Sequence, residues 1–212
     1  MASSGSGERA VVGADGVHTL CFYSGFSPLS NFNRSYFSVE KTHYFTVQQY
    51  LDAEKARQLN QQDLLARVLN ERSPRLCFEL TSSALGQDDL DRIRWTEQLP
   101  GLLETAVRAK FTQSVNHRQH LLATGNHRIA FSTPFDLVLG TGLQIGDPNV
   151  GNPQRWTGDN WLGYVLEKVR YELFRPTRPL VPGVNEDNSI KRKAQETFDV
   201  GPERAKLSKL DA

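Results

Sequence analysis

Three groups of residues in this 212-residue chain are of types that can do chemistry. The first is the run Gln48-Gln49-Tyr50-Leu51-Asp52-Ala53-Glu54-Lys55-Ala56. On a helix, positions 48 and 55 lie two turns apart and on one face. A lysine whose amine is desolvated among alanine and leucine neighbours becomes a nucleophile for Schiff-base chemistry. An ordinary solvated lysine has the same spacing. The second group is the glycine- and asparagine-rich stretch from Asp136 to Asn160, with Leu139-Gly140-Thr141-Gly142-Leu143 near its start and Gly158-Asp159-Asn160 at its end. Glycines let backbone N–H groups approach a ligand closely, and a helix beginning at Trp161 would turn its positive end toward an anion. Together they could cradle a phosphate, the alternative being a turn-rich connection. The third group is Phe22-Tyr23-Ser24 followed by Ser27-Pro28-Leu29-Ser30-Asn31-Phe32, with Trp95 further on. Aromatic rings give flat stacking faces, while Asn and Ser read base edges and ribose hydroxyls. Taken singly, each of these aromatics is as well explained by the core.

The elements that must position these groups follow from local pattern. His18 to Tyr23 reads as a strand, and Ser24 to Asn33 as a loop of turn-forming residues. Tyr36 to Ser38 and His43 to Phe45 read as two short strands around Lys41. Thr46 is placed as the N-cap of the helix carrying Gln48 and Lys55. Helical spacing recurs over Gln61 to Leu69, Asp88 to Trp95, Leu99 to Gln113, His117 to Thr124 and Trp161 to Phe174. The pattern predicts an α+β fold: a mainly helical single domain with a few short strands.

Residues 1–17 read as a flexible leader, 18–174 as the folded domain and 175–212 as a disordered charged tail beginning at Arg175-Pro176. In that tail Lys191-Arg192-Lys193 is where a nuclear-import patch would sit, against the plainer reading of a solvated tail. Lys+Arg 25 against Asp+Glu 24 gives a net charge of +1, which argues against a protein that coats polyanions such as nucleic acid. The absence of a long apolar run, and of an apolar segment near Met1, predicts an intracellular, cytoplasmic protein without a membrane span. Cys21 and Cys77, each among apolar neighbours, are expected as buried free thiols, and two cysteines with five scattered histidines predict no metal site.

In this order the motifs resemble the NADAR superfamily of YbiA-like N-glycosidases. The resemblance runs from Phe22-Tyr23 and Asn31-Phe32 through Thr46-Val47-Gln48-Gln49-Tyr50, Lys55-Ala56, Trp95 and Ala109-Lys110-Phe111. It continues through Leu121 to Gly125 and Asp136 to Gly140-Thr141-Gly142 and Gly158-Asp159-Asn160-Trp161-Leu162-Gly163. It implies hydrolysis, without a cofactor, of an N-glycosidic bond in a nucleotide-type substrate: ADP-ribose attached to guanine, or a phosphorylated riboflavin precursor. On the matched positions, Lys55 would attack the anomeric carbon, Asp136 would act as acid/base, and Trp95 would complete the catalytic group. Tyr23, Asn31, Phe32, Gly140, Gly142, Gly158 and Asn160 would hold the substrate. Three positions depart from the family pattern. Gln48 stands where a Glu is usual, Phe131 at a second acidic position, and Leu139 in place of a Trp. An amide cannot take up a proton at neutral pH, and losing a positioned acid/base commonly costs about 10²–10⁴-fold in rate. The rival reading is therefore a binding module that uses the same pocket for ADP-ribose or a related nucleotide without turning it over.

Overall fold

The computed structural model describes residues 7–82, 84 and 89–174. The charged tail and its Lys191-Arg192-Lys193 lie outside them. The chain begins with two strands, β1 (Glu8–Val12) and β2 (His18–Phe22), and then a hairpin of β3 (Phe37–Val39) and β4 (Thr42–Tyr44). Five helices follow: α1 (Val47–Gln58), α2 (Gln62–Asn70), α3 (Pro74–Ser82), α4 (Asp89–Gln113) and α5 (Val115–Ala123). After β5 (Arg128–Phe131) comes the long irregular stretch, broken by one 3-10 turn at Pro153–Arg155, and the last helix is α6 (Trp161–Phe174). The architecture is α+β, as the pattern predicts.

The N-terminus of α1 is fixed by reciprocal capping. Thr46 Oγ1 accepts from the Gln49 N–H at 3.0 Å, and Gln49 Oε1 reaches back to accept from the Phe45 N–H at 3.1 Å. This resembles a capping box, with the glutamine reaching the N–H of the residue before the cap instead of that of Thr46 itself. The Gln49 amide also donates to Val68 O at 3.0 Å, which ties α1 to the end of α2. Glu40 and Lys41 join β3 to β4 with φ of 47° and 68°, the left-handed pair that a two-residue hairpin turn needs.

In the three-stranded sheet β2 is central, antiparallel to β1 and parallel to β5. Its side chains alternate. Phe22 and Ile129 enter the main core with α1, α4 and α6, whereas Cys21 and Ala130 face a smaller cluster with Val150, covered by Leu143, Ile145 and Trp156. The glycine-rich stretch is thus the cover of the sheet's second face. From α6, Leu162, Val165, Leu166 and Val169 are buried, each stabilising the core by roughly 1.5–3 kcal/mol on leaving water.

Four expectations change. Residues 8–12 are a strand, not part of a leader: β1 pairs along its whole length with β2, from Glu8↔Phe22 to Val12↔His18. As an edge strand exposed on much of its surface it lacks the apolar run that would announce it. The stretches read as two helices are one, α4, with Pro100 inside it. Proline removes one backbone hydrogen bond, but Leu99, Leu103, Ala106, Val107 and Phe111 give the helix a buried face across the break. The remaining two elements, α3 and β5, are short and were not foreseen. Among the described residues no helix is long and apolar enough to cross a membrane.

Candidate active site

One face of α1 gathers three polar side chains of the candidate site. Gln48, Asp52 and Lys55 follow one another at i, i+4 and i+7, and all three are buried. Asp52 is fully buried. Its Oδ2 accepts from Gln48 Nε2 at 3.0 Å, and its Oδ1 accepts from Thr81 Oγ1 of α3 at 2.7 Å and pairs with Lys55 Nζ at 3.4 Å. Burial pushes the Asp52 carboxyl above its ordinary range, and the lysine, threonine and glutamine only partly pull it back.

Lys55 Nζ lies 5.0 Å from the centre of the Trp95 ring and 5.5 Å from that of Phe78. The amine is therefore bounded by one carboxylate and two aromatic faces. Phe78 in turn meets Phe32 edge-on, with ring centres 6.4 Å apart. The fold thus links Gln48, Lys55, Trp95 and Phe32 and brings Asp52, Phe78 and Thr81 to them. Phe78 and Thr81 arrive on α3, the unforeseen helix. Asp52 lay in the quoted run, and its helical spacing from both 48 and 55 was signal enough to find it.

The loop after β2 brings Asn31 to the first turn of α1, where its backbone carbonyl accepts from the Gln48 N–H at 3.0 Å. Asn31 is 3% exposed, and among the described residues its Oδ1 has no hydrogen-bond partner. A buried carboxamide oxygen left unpaired costs about 1–3 kcal/mol. The loop is braced from behind. Ser27 Oγ donates to Glu8 Oε1 of β1 at 2.6 Å, and Lys110 Nζ of α4 donates to Ser30 O at 2.8 Å. Burial lowers the Lys110 amine to about 7. His117 of α5 meets Asn33 Oδ1 at 2.8 Å through Nε2, and burial, aided by Lys110 and His120, holds its ring down to about 4. Tyr23, just past β2, is 55% exposed.

The glycine-rich stretch is built differently from the expected phosphate cradle. The N–H groups of Asp159, Asn160, Trp161 and Leu162 donate to the carbonyls of Leu137, Gly140, Val138 and Leu139 at 2.7–3.2 Å. The amides at the start of α6 are therefore occupied by the chain itself. The glycines sit where two runs of backbone cross. A Cβ on Gly158 would lie 2.3 Å from Gly140 O, and one on Gly140 would lie 2.8 Å from Asp136 O. Gly142, at φ +75°, abuts Thr157 and Gly158. The Asn160 carboxamide is also engaged: Oδ1 accepts from the Phe131 N–H and Nδ2 donates to Ile129 O, each at 2.9 Å. Asn160 thus clamps β5 to α6 and is fully buried there.

Asp136 Oδ1 accepts from the N–H groups of Val138 and Leu139 at 3.0 and 2.8 Å, fixing the turn that enters this crossing. Among the described residues no hydrogen bond or ion pair joins it to Lys55, whose carboxylate partner is Asp52. Phe131 stacks on Phe22 with centres 5.2 Å apart, and Leu139 is buried in the core. Both are packing residues. Among the described residues no three His, Cys, Asp or Glu side chains converge as a metal site requires.

The NADAR domain model matches residues 21–174. Protein irg-1 of Caenorhabditis elegans is 31% identical over 157 residues, covering 72% of this chain and 74% of that protein. An N-glycosidase of Acanthamoeba polyphaga mimivirus is 35% identical over 79 residues, covering 37% of this chain and 46% of that protein. The solved structure of Escherichia coli YbiA superposes with a TM-score of 0.57 at 26% identity, covering 73% of this chain and 83% of that one.

Proposed function

Because the chain belongs to the NADAR domain family, we propose that it hydrolyses an N-glycosidic bond of a nucleotide-type substrate, with Lys55 as the nucleophile. The observation that carries this reading is the seat of the Lys55 amine, bounded by Asp52 at 3.4 Å and by the rings of Trp95 and Phe78. The likeness to a viral N-glycosidase supports it. Candidate substrates are ADP-ribosylated guanine and a phosphorylated riboflavin precursor.

In this mechanism the Nζ lone pair bonds to the anomeric carbon as the bond to the base nitrogen breaks. The base leaves with that electron pair and takes a proton from water. Nζ then gives up one proton, the bond from the anomeric carbon to the ring oxygen opens, and that oxygen is protonated. A protonated Schiff base on Lys55 results. Water adds to its carbon, and loss of the amine releases the free sugar. Trp95 and Phe78 stabilise the cationic intermediate through their ring faces. The unpaired Asn31 carboxamide receives the sugar hydroxyls, and Phe32 extends the aromatic wall.

Gln48 favours a second reading, a module that binds the same ligand without turnover. Borohydride separates the two. The protein is incubated with each candidate substrate and reduced, and Lys55 is sought as an alkylated residue by peptide mass. The glycosidase reading expects free base and an adduct that Lys55→Ala abolishes. Ligand binding without product or adduct would leave only the binding module.

A further inference from the structure

We infer that Asp52 is the acid–base carboxylate of this site, moved one helical turn along α1 from the position held here by Gln48. The inference rests on the N-glycosidase reading and deepens it. Gln48 and Asp52 form an amide–carboxylate pair of fixed polarity. Nε2 of Gln48 can only donate, and Oδ2 of Asp52 accepts from it at 3.0 Å. The pair contains a single carboxyl group, and that carboxyl is the one in contact with the reacting amine. On this view Gln48 is the donor half of a transposed pair, not the residue of a lost catalyst.

The lengths of the contacts agree. Thr81 Oγ1 at 2.7 Å holds the carboxylate firmly, while the Lys55 contact of 3.4 Å is well beyond the ~2.7–2.9 Å of a strong charged hydrogen bond. The carboxylate is anchored by α3, and the amine is left free to turn toward a substrate while staying within reach for proton exchange. The raised carboxyl suits that exchange, because a carboxylate that binds a proton more readily is the better acceptor for one leaving the amine.

The protons then balance. As the new C–N bond forms, Nζ carries two protons and a positive charge, and one of them passes to Asp52 Oδ1. Asp52 returns it to the ring oxygen when the C–O bond breaks and the C=N bond forms. In the hydrolytic half Asp52 takes a proton from the attacking water and returns it to Nζ; as the C–N bond breaks and the C=O bond forms, Asp52 takes the remaining hydroxyl proton and passes it to solvent.

The test compares wild type, Asp52→Asn and Gln48→Glu/Asp52→Asn for free-base release and for the borohydride adduct on Lys55, across pH 4 to 8 (roughly the range in which carboxyls titrate). Thermal unfolding of each variant checks that it is folded. Asp52→Asn is expected to lose product formation by about 10²–10⁴-fold. The double variant, which restores the pair in its opposite order, is expected to recover at least about tenfold of that loss. Asp52 faces Lys55 from its own helix and Cys77 from α3, whose thiol burial, Asp52 and Glu71 push up to about 12. Trp95 of α4 adds no titratable group. Asp52 is thus the carboxyl in contact with the amine, and the acid limb of the wild-type rate should vanish in Asp52→Asn. A wild-type adduct with Asp52→Asn equally fast, or with its acid limb intact, overturns the assignment, as does a double variant no faster than Asp52→Asn. No wild-type adduct despite bound ligand overturns the glycosidase reading and the assignment with it.

Discussion

Replacing Gln48 by Glu should turn the buried pair into two carboxyls sharing one proton, with a stability cost that depends on pH. A Glu oxygen would take the place of Nε2, 3.0 Å from Asp52 Oδ2, at a residue only 5% exposed. Two full charges at that distance repel by about 5 kcal/mol at an effective dielectric constant of about 20, which is the ceiling of the effect. The folded protein avoids most of this by keeping one proton between the two groups. The unfolded chain has no such need and releases that proton above about pH 4.3. From there upward the unfolded state of the variant binds one proton fewer than the folded state, so stability falls as pH rises, by about 1.4 kcal/mol per unit. The fall ends when the shared proton leaves the folded state or the ceiling is reached. Urea unfolding from pH 5 to 8 should therefore show Gln48→Glu near wild type at pH 5 and destabilised by about 2–4 kcal/mol at pH 7 to 8. The Gln48→Glu/Asp52→Asn variant, with one carboxyl again, should track wild type throughout. A loss that is the same at pH 5 and pH 8, or one shared by the double variant, would refute the close contact between positions 48 and 52.

Two further predictions concern the scaffold. Lys110, lowered by burial to about 7, binds fewer protons folded than unfolded between roughly pH 7 and 10. Stability should therefore rise with pH across that window by up to about 1.4 kcal/mol per unit, and Lys110→Met should abolish the rise in urea unfolding at pH 7, 8 and 9. Gly158→Ala should cost more than about 2 kcal/mol, since its Cβ would meet backbone atoms 2.3–2.9 Å away. Gly146→Ala, with open space around it, should stay within about 0.5 kcal/mol of wild type by the same measurement.

How much of this was legible depends on the kind of signal each residue carries. The α1 start was readable because a Thr-x-x-Gln cap is local, and α6 because its buried positions recur at helical spacing from Trp161 onward. β1 and β5 were not, because strands of five and four residues owe their existence to partners far away in sequence. The separate helical stretches over Asp88 to Trp95 and Leu99 to Gln113 are joined by tertiary packing into one helix that carries Pro100. At the site, Lys55 and Trp95 were singled out by the family resemblance, and Phe32 and Asn31 by their place in a turn-rich run of aromatic and amide residues. Thr81 and Phe78 required α3 to be placed. Asp52 was legible only as one of several acids, with Glu54 and Asp136, that could assist Lys55; its burial and its Thr81 contact singled it out only once α3 was placed. The glycines and Asn160 were over-read. A missing Cβ serves the close crossing of two backbones as readily as the approach of a ligand, and only coordinates tell which backbone fills the space.

The pairing of β1 with β2 has a practical consequence for where the gene is cut. The family match begins at residue 21, inside β2, and leaves out all of β1. A fragment started there would discard one strand whole and most of a second. β5 would lose its partner along half of its length, and that half would become an open ladder of N–H and C=O groups, the kind of edge along which chains stack into aggregates. Ser27 would also lose Glu8, the hydrogen-bond acceptor behind the loop that carries Asn31. A fragment meant to stay dispersed and keep its pocket intact should start no later than Gly7.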